Sequence, residues 1–121
     1  MSKKILLAED EPDVRDVVVE LLEAEGYEVV AVGNGFELLD RLAVERFDLV
    51  VTDNDMPRMS GLAALEQIRE DEVLRDLPVI VYTTPRGELV WEHVAMLNGV
   101  LVEKGSHGNL LEIVATLLLS K

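Results

Sequence analysis

Five short apolar runs recur along the chain and constrain its fold more than any other feature. They are Lys4 to Ala8, Glu28 to Val32, Asp48 to Thr52, Pro78 to Thr83 and Val100 to Glu103. Their centres, ILLA, VVAV, LVV, VIVY and VLV, are nearly continuous in apolar residues. A strand with one wet face alternates apolar and polar side chains, whereas parallel strands covered on both faces do not. Each run therefore reads as a central or near-central strand.

Helical periods lie between the runs. Val14, Val17, Val18, Leu21 and Leu22 recur at helical spacing, with Pro12 suited to the first turn and Gly26 to the stop. Leu38, Leu39 and Leu42 mark a second helix, and Leu62, Leu65 and Ile68 a third. Val90, Val94 and Leu97 mark a fourth, opening after Pro85 and closing near Asn98-Gly99. A fifth is expected from Asn109 to Lys121, where Glu112, Thr116 and Ser120 form one polar stripe. Its apolar arc is wider than packing on a sheet requires, so part of it is expected to meet another partner.

Strict strand-helix alternation with short connections specifies an α/β domain with a doubly wound, mostly parallel sheet, because right-handed crossovers place helices on both faces. The 121 residues fit one domain, with no internal repeat, low-complexity tract or linker. No apolar stretch reaches the roughly 18 residues of a membrane span. The start, MSKKILLAEDEP, meets acids where a secretory signal would continue apolar, so it reads as the first strand of a cytoplasmic protein. The absence of cysteine excludes disulfides, thiolate metal sites and a cysteine nucleophile. With 11 basic and 24 acidic residues the net charge is -13, which repels nucleic acid and leaves acids available for a cation.

In a doubly wound sheet the ligand site lies beyond the carboxyl ends of the strands. Those ends deliver Glu9 and Asp10, Asp53, Thr83 and Lys104. Clustered carboxylates repel one another unless their pKa values rise or a cation sits among them. Mg2+ suits such a site, taking one or two carboxylates, several waters and phosphate oxygens. A lysine and a hydroxyl at the rim suit a phosphoryl group, and the nucleophile would be a carboxylate.

Blander readings stand beside this one. Asp53 and Asp55 would pass for solvated turn acids in isolation, and Glu9 and Asp10 for favourable charge at a helix N-terminus. Lys104 would pass for a surface lysine, Thr83 for a buried strand threonine, and His93 and His107 for surface histidines. Asp53-Asn54-Asp55 is excluded as a calcium loop, because Arg58 replaces the glycine required at position six and Ala64 the bidentate acid at position twelve. Haloacid-dehalogenase-like phosphatases also use Asp-x-Asp after a parallel strand. They usually place Thr or Val where this chain has Pro57, and their motif follows the first strand.

The segments LLAEDEPDVRD, DLVVTDNDMPRMSGLAALEQIR, LPVIVYTT and VLVEK, in this order and spacing, resemble the receiver domain of two-component response regulators. The resemblance covers essentially the whole chain, residues 1–121, as one receiver domain. It implies a flavodoxin-like fold with strand order 2-1-3-4-5 and five helices. It also implies that Asp53 is the phosphoacceptor and that Asp10 and Asp53 bind Mg2+ through their carboxylates. Asp55 would add its backbone carbonyl, Glu9 would hold a metal-bound water, and Thr83 and Lys104 would contact the phosphoryl oxygens. The implied donor is a histidine kinase or a histidine phosphotransfer protein. The chain would catalyse its own phosphorylation and dephosphorylation without being a multiple-turnover enzyme. A protein target or second copy would meet helix four, strand five and helix five, with no direct contact to nucleic acid or membrane. A pseudo-receiver, which keeps the fold as a binding module without phosphorylation, is the non-catalytic alternative.

Three departures from the family pattern carry consequences. Leu101 stands where receivers usually carry an aromatic, so the usual hydroxyl-aromatic switch is not expected in its ordinary form. Gly105 follows the lysine where a proline with a cis bond is usual, as in some receivers attached to chemotaxis kinases. Thr84 replaces a common Ala, and with the side chain of Asp55 it predicts an altered dephosphorylation rate. No output domain accompanies the receiver in these residues, as expected of a stand-alone regulator or a module of a longer protein.

Overall fold

The computed structural model describes residues 2–119. Strands and helices alternate strictly: β1 Lys4–Ala8, α1 Pro12–Ala24, β2 Glu28–Val32, α2 Gly35–Val44, β3 Leu49–Thr52, α3 Gly61–Glu70, β4 Val79–Thr83, α4 Glu88–Met96, β5 Val100–Glu103 and α5 His107–Leu119. All neighbouring strands pair in parallel, in the order β2-β1-β3-β4-β5. β3 and β4 each begin one residue later than the apolar runs suggested, at Leu49 and Val79.

Two of the five runs are edge strands. β2 and β5 flank the sheet, and of their residues only Val102 is buried, whereas every residue of β3 and β4 is buried. Apolar continuity reports burial on two faces and is blind to whether a strand has one hydrogen-bonded neighbour or two.

The sheet separates two apolar layers. Leu38, Leu42, Leu65, Ile68 and Val94 bring α2, α3 and α4 against one face. Val18, Leu22, Leu110, Val114 and Leu118 bring α1 and α5 against the other. Val17, which periodicity placed in the apolar stripe of α1, is exposed instead.

Local signals fix the helix ends. Pro12 opens α1, and Gly26 ends it in the left-handed region at φ 93°, which glycine reaches without a Cβ clash. Asn34 caps α2 by accepting from Glu37 N at 3.0 Å, while Glu37 accepts from Gly33 N at 2.7 Å. Ser60 caps α3 through Ala63 N at 3.1 Å. α5 begins two residues before the predicted Asn109, at His107; Ser120 and Lys121 lie outside the described residues. Much of its wide apolar arc is used internally, since Leu111, Ile113 and Leu117 pack against the α1-side core. Among its described residues Leu119 stays exposed.

Arg69 joins α3 to the segments around it. Its guanidinium donates to the carbonyl oxygens of Leu97 at 2.6 Å, Leu77 at 2.7 Å, Arg75 at 3.0 Å and Asn98 at 3.2 Å. The α4 C-terminus and the approach to β4 are thereby held by one side chain.

Candidate functional site

Parallel pairing brings the predicted residues to one end of the sheet. Asp53 N donates to Ala8 O at 2.9 Å, placing Asp53 beside the β1 exit that carries Glu9 and Asp10. Lys104 N donates to Thr83 O at 2.9 Å, so the β5 exit is tied to the end of β4. Carboxylate oxygens of Glu9, Asp10 and Asp53 come within 4.8 Å of one another. Glu9 and Asp53 are buried, and Asp10 reaches solvent.

Lys104 links two of these acids. Its Nζ lies 2.7 Å from Asp53 Oδ2 and 2.9 Å from Glu9 Oε1. Burial by itself lowers a lysine's pKa, but hydrogen bonds and charge from Asp53 and Glu9 outweigh it and hold Lys104 above its ordinary range. Glu9 moves up because burial disfavours its charged form, outweighing Lys104 and the Glu11 N–H; the nearby charge of Asp53 adds to the rise.

The Asp53 carboxylate is oriented by its own loop. Oδ1 accepts from Asn54 N at 2.7 Å and Asp55 N at 3.3 Å, while Oδ2 takes Lys104. The loop is held from below, where Leu62 N donates to Asn54 Oδ1 at 3.0 Å. α3 approaches so closely that a Cβ on Gly61 would stand 2.1 Å from the Asp53 carbonyl oxygen. Glycine is required there by contact with backbone.

Thr83 Oγ1 is buried and has no hydrogen-bond partner among the described residues. A buried hydroxyl without a partner is costly, and a water or ligand at the site would satisfy it. The side chain of Asp55 leaves the cluster and faces Arg86 Nε at 3.7 Å, with both groups well exposed. Leu101 packs among the α2–α4 side core, beside Val81. His93 pairs with Glu66 at 2.9 Å, and His107 lies beside Tyr82; neither belongs to the acidic cluster.

The donor set suits a hard divalent cation. Three carboxylates against one ammonium leave two negative charges, and all the candidate ligand atoms are oxygens. Two contributors were not identified from the sequence. Tyr82 accepts from Gly105 N at 2.8 Å, and Arg15 donates to Glu9 O at 3.1 Å. A tyrosine following the aliphatic run Val79-Ile80-Val81 was the available signal for the first, because a buried phenol needs a polar partner. Burial also pushes the Tyr82 phenol up, keeping it a neutral hydroxyl at physiological pH.

A profile of the response regulator receiver domain matches residues 5–105. The chain belongs to the response regulator receiver family. The polar-differentiation response regulator DivK of Brucella anthropi is 36% identical over 83 residues, which are 69% of this receiver and 68% of DivK. The CAI-1 autoinducer sensor kinase/phosphatase CqsS of Vibrio cholerae is 37% identical over 83 residues, 68% of this receiver but only 12% of CqsS. Among solved structures, the response regulator TrrA of Thermotoga maritima in complex with Mg2+-BeF is 31% identical with a TM-score of 0.84, covering 95% of this receiver and 98% of TrrA. The parallel order β2-β1-β3-β4-β5 is the flavodoxin-like arrangement of the receiver fold. No described helix of this receiver is long and apolar enough to cross a membrane.

Proposed function

We propose that Asp53 accepts a phosphoryl group from the phosphohistidine of a histidine kinase or a histidine phosphotransfer protein, in an Mg2+-dependent reaction. The carrying observation is the convergence of Glu9, Asp10 and Asp53 on one point with Lys104 across them. A carboxylate oxygen of Asp53 attacks phosphorus, the P–N bond to the imidazole breaks, and the neutral imidazole departs after taking a proton. Lys104 lies where it can exchange a carboxylate for a phosphoryl oxygen, and the unpartnered Thr83 hydroxyl is available as a second donor. Mg2+, held by the carboxylates of Asp10 and Asp53, the Asp55 carbonyl and a water on Glu9, would neutralise charge on the phosphoryl oxygens. A cytoplasmic setting follows from the kinase donor.

The phosphorylated state then changes its affinity for a protein target, by the same free energy with which that target shifts the receiver's own equilibrium. The surface of α4, β5 and α5 suits this contact. His93 on α4 faces Glu66 of α3, so Trp91 lies on the opposite flank of the helix; it is 46% exposed, and Leu119 at the end of α5 is 85% exposed. The phosphatase alternative needs the Asp55 carboxylate beside Asp53 as an acid/base, and that carboxylate is turned to Arg86.

Intact mass after incubation with Mg2+ and acetyl phosphate tests the reading. One added phosphoryl group is expected, absent in Asp53→Asn. A wild-type chain that gains no phosphoryl group would leave the pseudo-receiver alternative. Multiple turnover on small phosphate esters, lost in Asp55→Asn, would favour the phosphatase.

A further inference from the structure

The turn after β5 decides where Lys104 can reach, yet little packing holds that turn. Gly105 adopts φ 97°, and a Cβ placed on it would meet nothing within 4 Å. An open groove of about 330 Å³, lined by Asp13, Val14 and Val17 of α1 and by Tyr82, Lys104, Gly105 and His107, lies between the turn and the first helix. Hydrogen bonds therefore carry the task. Lys104 N is fixed to Thr83 O at 2.9 Å and Ser106 N to Glu103 O at 3.1 Å. The peptide between them is held from a different direction, where Gly105 N donates to Tyr82 Oη at 2.8 Å.

Tyr82 itself is anchored. Only 2% of its surface is exposed, and its ring belongs to the core beneath α1 and α5. A rigid ring rooted in β4 thus presents one hydroxyl to the Lys104–Gly105 peptide. The position is distinct from that of Thr83, whose side chain leaves the opposite face of the strand.

Resting on the function proposed above, we infer that Tyr82 is a positioning residue for Lys104, whose hydroxyl pins the Lys104–Gly105 peptide and thereby sets the Nζ on Asp53 and Glu9. Without the pin the turn samples more conformations, and the ammonium spends less time where a phosphoryl oxygen would need it.

Tyr82→Phe removes the pin and keeps the ring; Tyr27→Phe, on a tyrosine at the edge of the same core, serves as the control. In Tyr82→Phe the maximal rate of phosphoryl gain from acetyl phosphate is expected to fall about five-fold, the rate equivalent of one neutral hydrogen bond. Half-saturating Mg2+ and acetyl phosphate should stay unchanged, and Tyr27→Phe should match the wild type. Wild-type maximal rate in Tyr82→Phe overturns the inference. A second readout needs no phosphorylation: Tyr82→Phe should accelerate hydrogen exchange of the Gly105 amide and shift the Lys104 Nζ nitrogen resonance. If the wild type gains no phosphoryl group the functional reading fails, and these two signals judge the pin separately; unchanged signals overturn it.

Discussion

Lys104 Nζ stands 2.7 Å from Asp53 Oδ2, joining residues 51 positions apart in the chain. The same ammonium reaches Glu9, so one cation serves two buried acids. Lys104→Met keeps the aliphatic stem and removes the charge. Phosphoryl gain is expected to slow about 100-fold, the loss typical of one preorganised donor to developing charge. Mg2+ should raise the melting temperature of Lys104→Met more than that of the wild type, because the cation no longer competes with an ammonium. Melting curves with and without Mg2+ measure this.

Glu9 gives a pH dependence whose sign is opposite to that of an ordinary ion-paired carboxylate. Its folded pKa is raised above 4.5 by burial, so its contribution to stability is fully present below pH 4.5 and is lost as pH rises through the folded value. Glu9→Gln has no charge to bury. In Mg2+-free urea titrations Glu9→Gln should gain on the wild type as pH rises from about 4 to 7. A difference that runs the other way would show that Lys104 outweighs burial at Glu9.

Gly61 is fixed by contact between α3 and the Asp53 loop. A Cβ there would lie 2.1 Å from the Asp53 carbonyl oxygen, so Gly61→Ala is expected to cost about 3 kcal/mol and to disturb phosphorylation. A Cβ on Gly108 in α5 would meet nothing within 4 Å, and Gly108→Ala should stabilise by about 0.5 kcal/mol. Chemical denaturation of the two variants separates contact from propensity.

Arg69 satisfies four backbone carbonyls with one side chain. Arg69→Ala leaves them to compete for water and is expected to destabilise the domain by about 3 kcal/mol. Lysine lacks the planar fork, so Arg69→Lys should recover less than half of the loss. Urea unfolding midpoints provide the comparison.

Asp55 and Arg86 are 3.7 Å apart, with side chains 55% and 81% exposed. An ion pair this exposed contributes little, and Asp55→Ala should change stability by less than about 0.5 kcal/mol. The phosphoryl group should nevertheless hydrolyse faster in Asp55→Ala, because losing the carboxylate frees Arg86 to offset charge developing on the phosphoryl oxygens. Loss of the mass adduct with time, after the donor is removed, measures that rate.

The site was legible in outline because topology converts sequence order into spatial position. Once alternating runs specify a parallel doubly wound sheet, Glu9, Asp10, Asp53, Thr83 and Lys104 all exit at the same end. The resemblance to receivers then suggested the roles proposed for them, which spacing alone could not. Apolar continuity did not mark edge position, since by it β2 and β5 read like interior strands; the strand order 2-1-3-4-5 implied by the resemblance is what placed them at the edges. The wide apolar arc of α5 suggested a free surface, yet Leu111, Ile113 and Leu117 pack on the domain's own core.

By itself the sequence determined the alternation of elements, the end of the sheet at which the candidate site residues gather and the acids available there. Periodicity and strand-end position are properties of a chain read in order. Only the tertiary structure decided that Lys104 lies between Asp53 and Glu9, that the Asp55 side chain turns to Arg86, and that Tyr82 meets the Gly105 N–H. These outcomes depend on distances between side chains far apart in sequence, set by how strands pair and how turns close, and no local pattern encodes them.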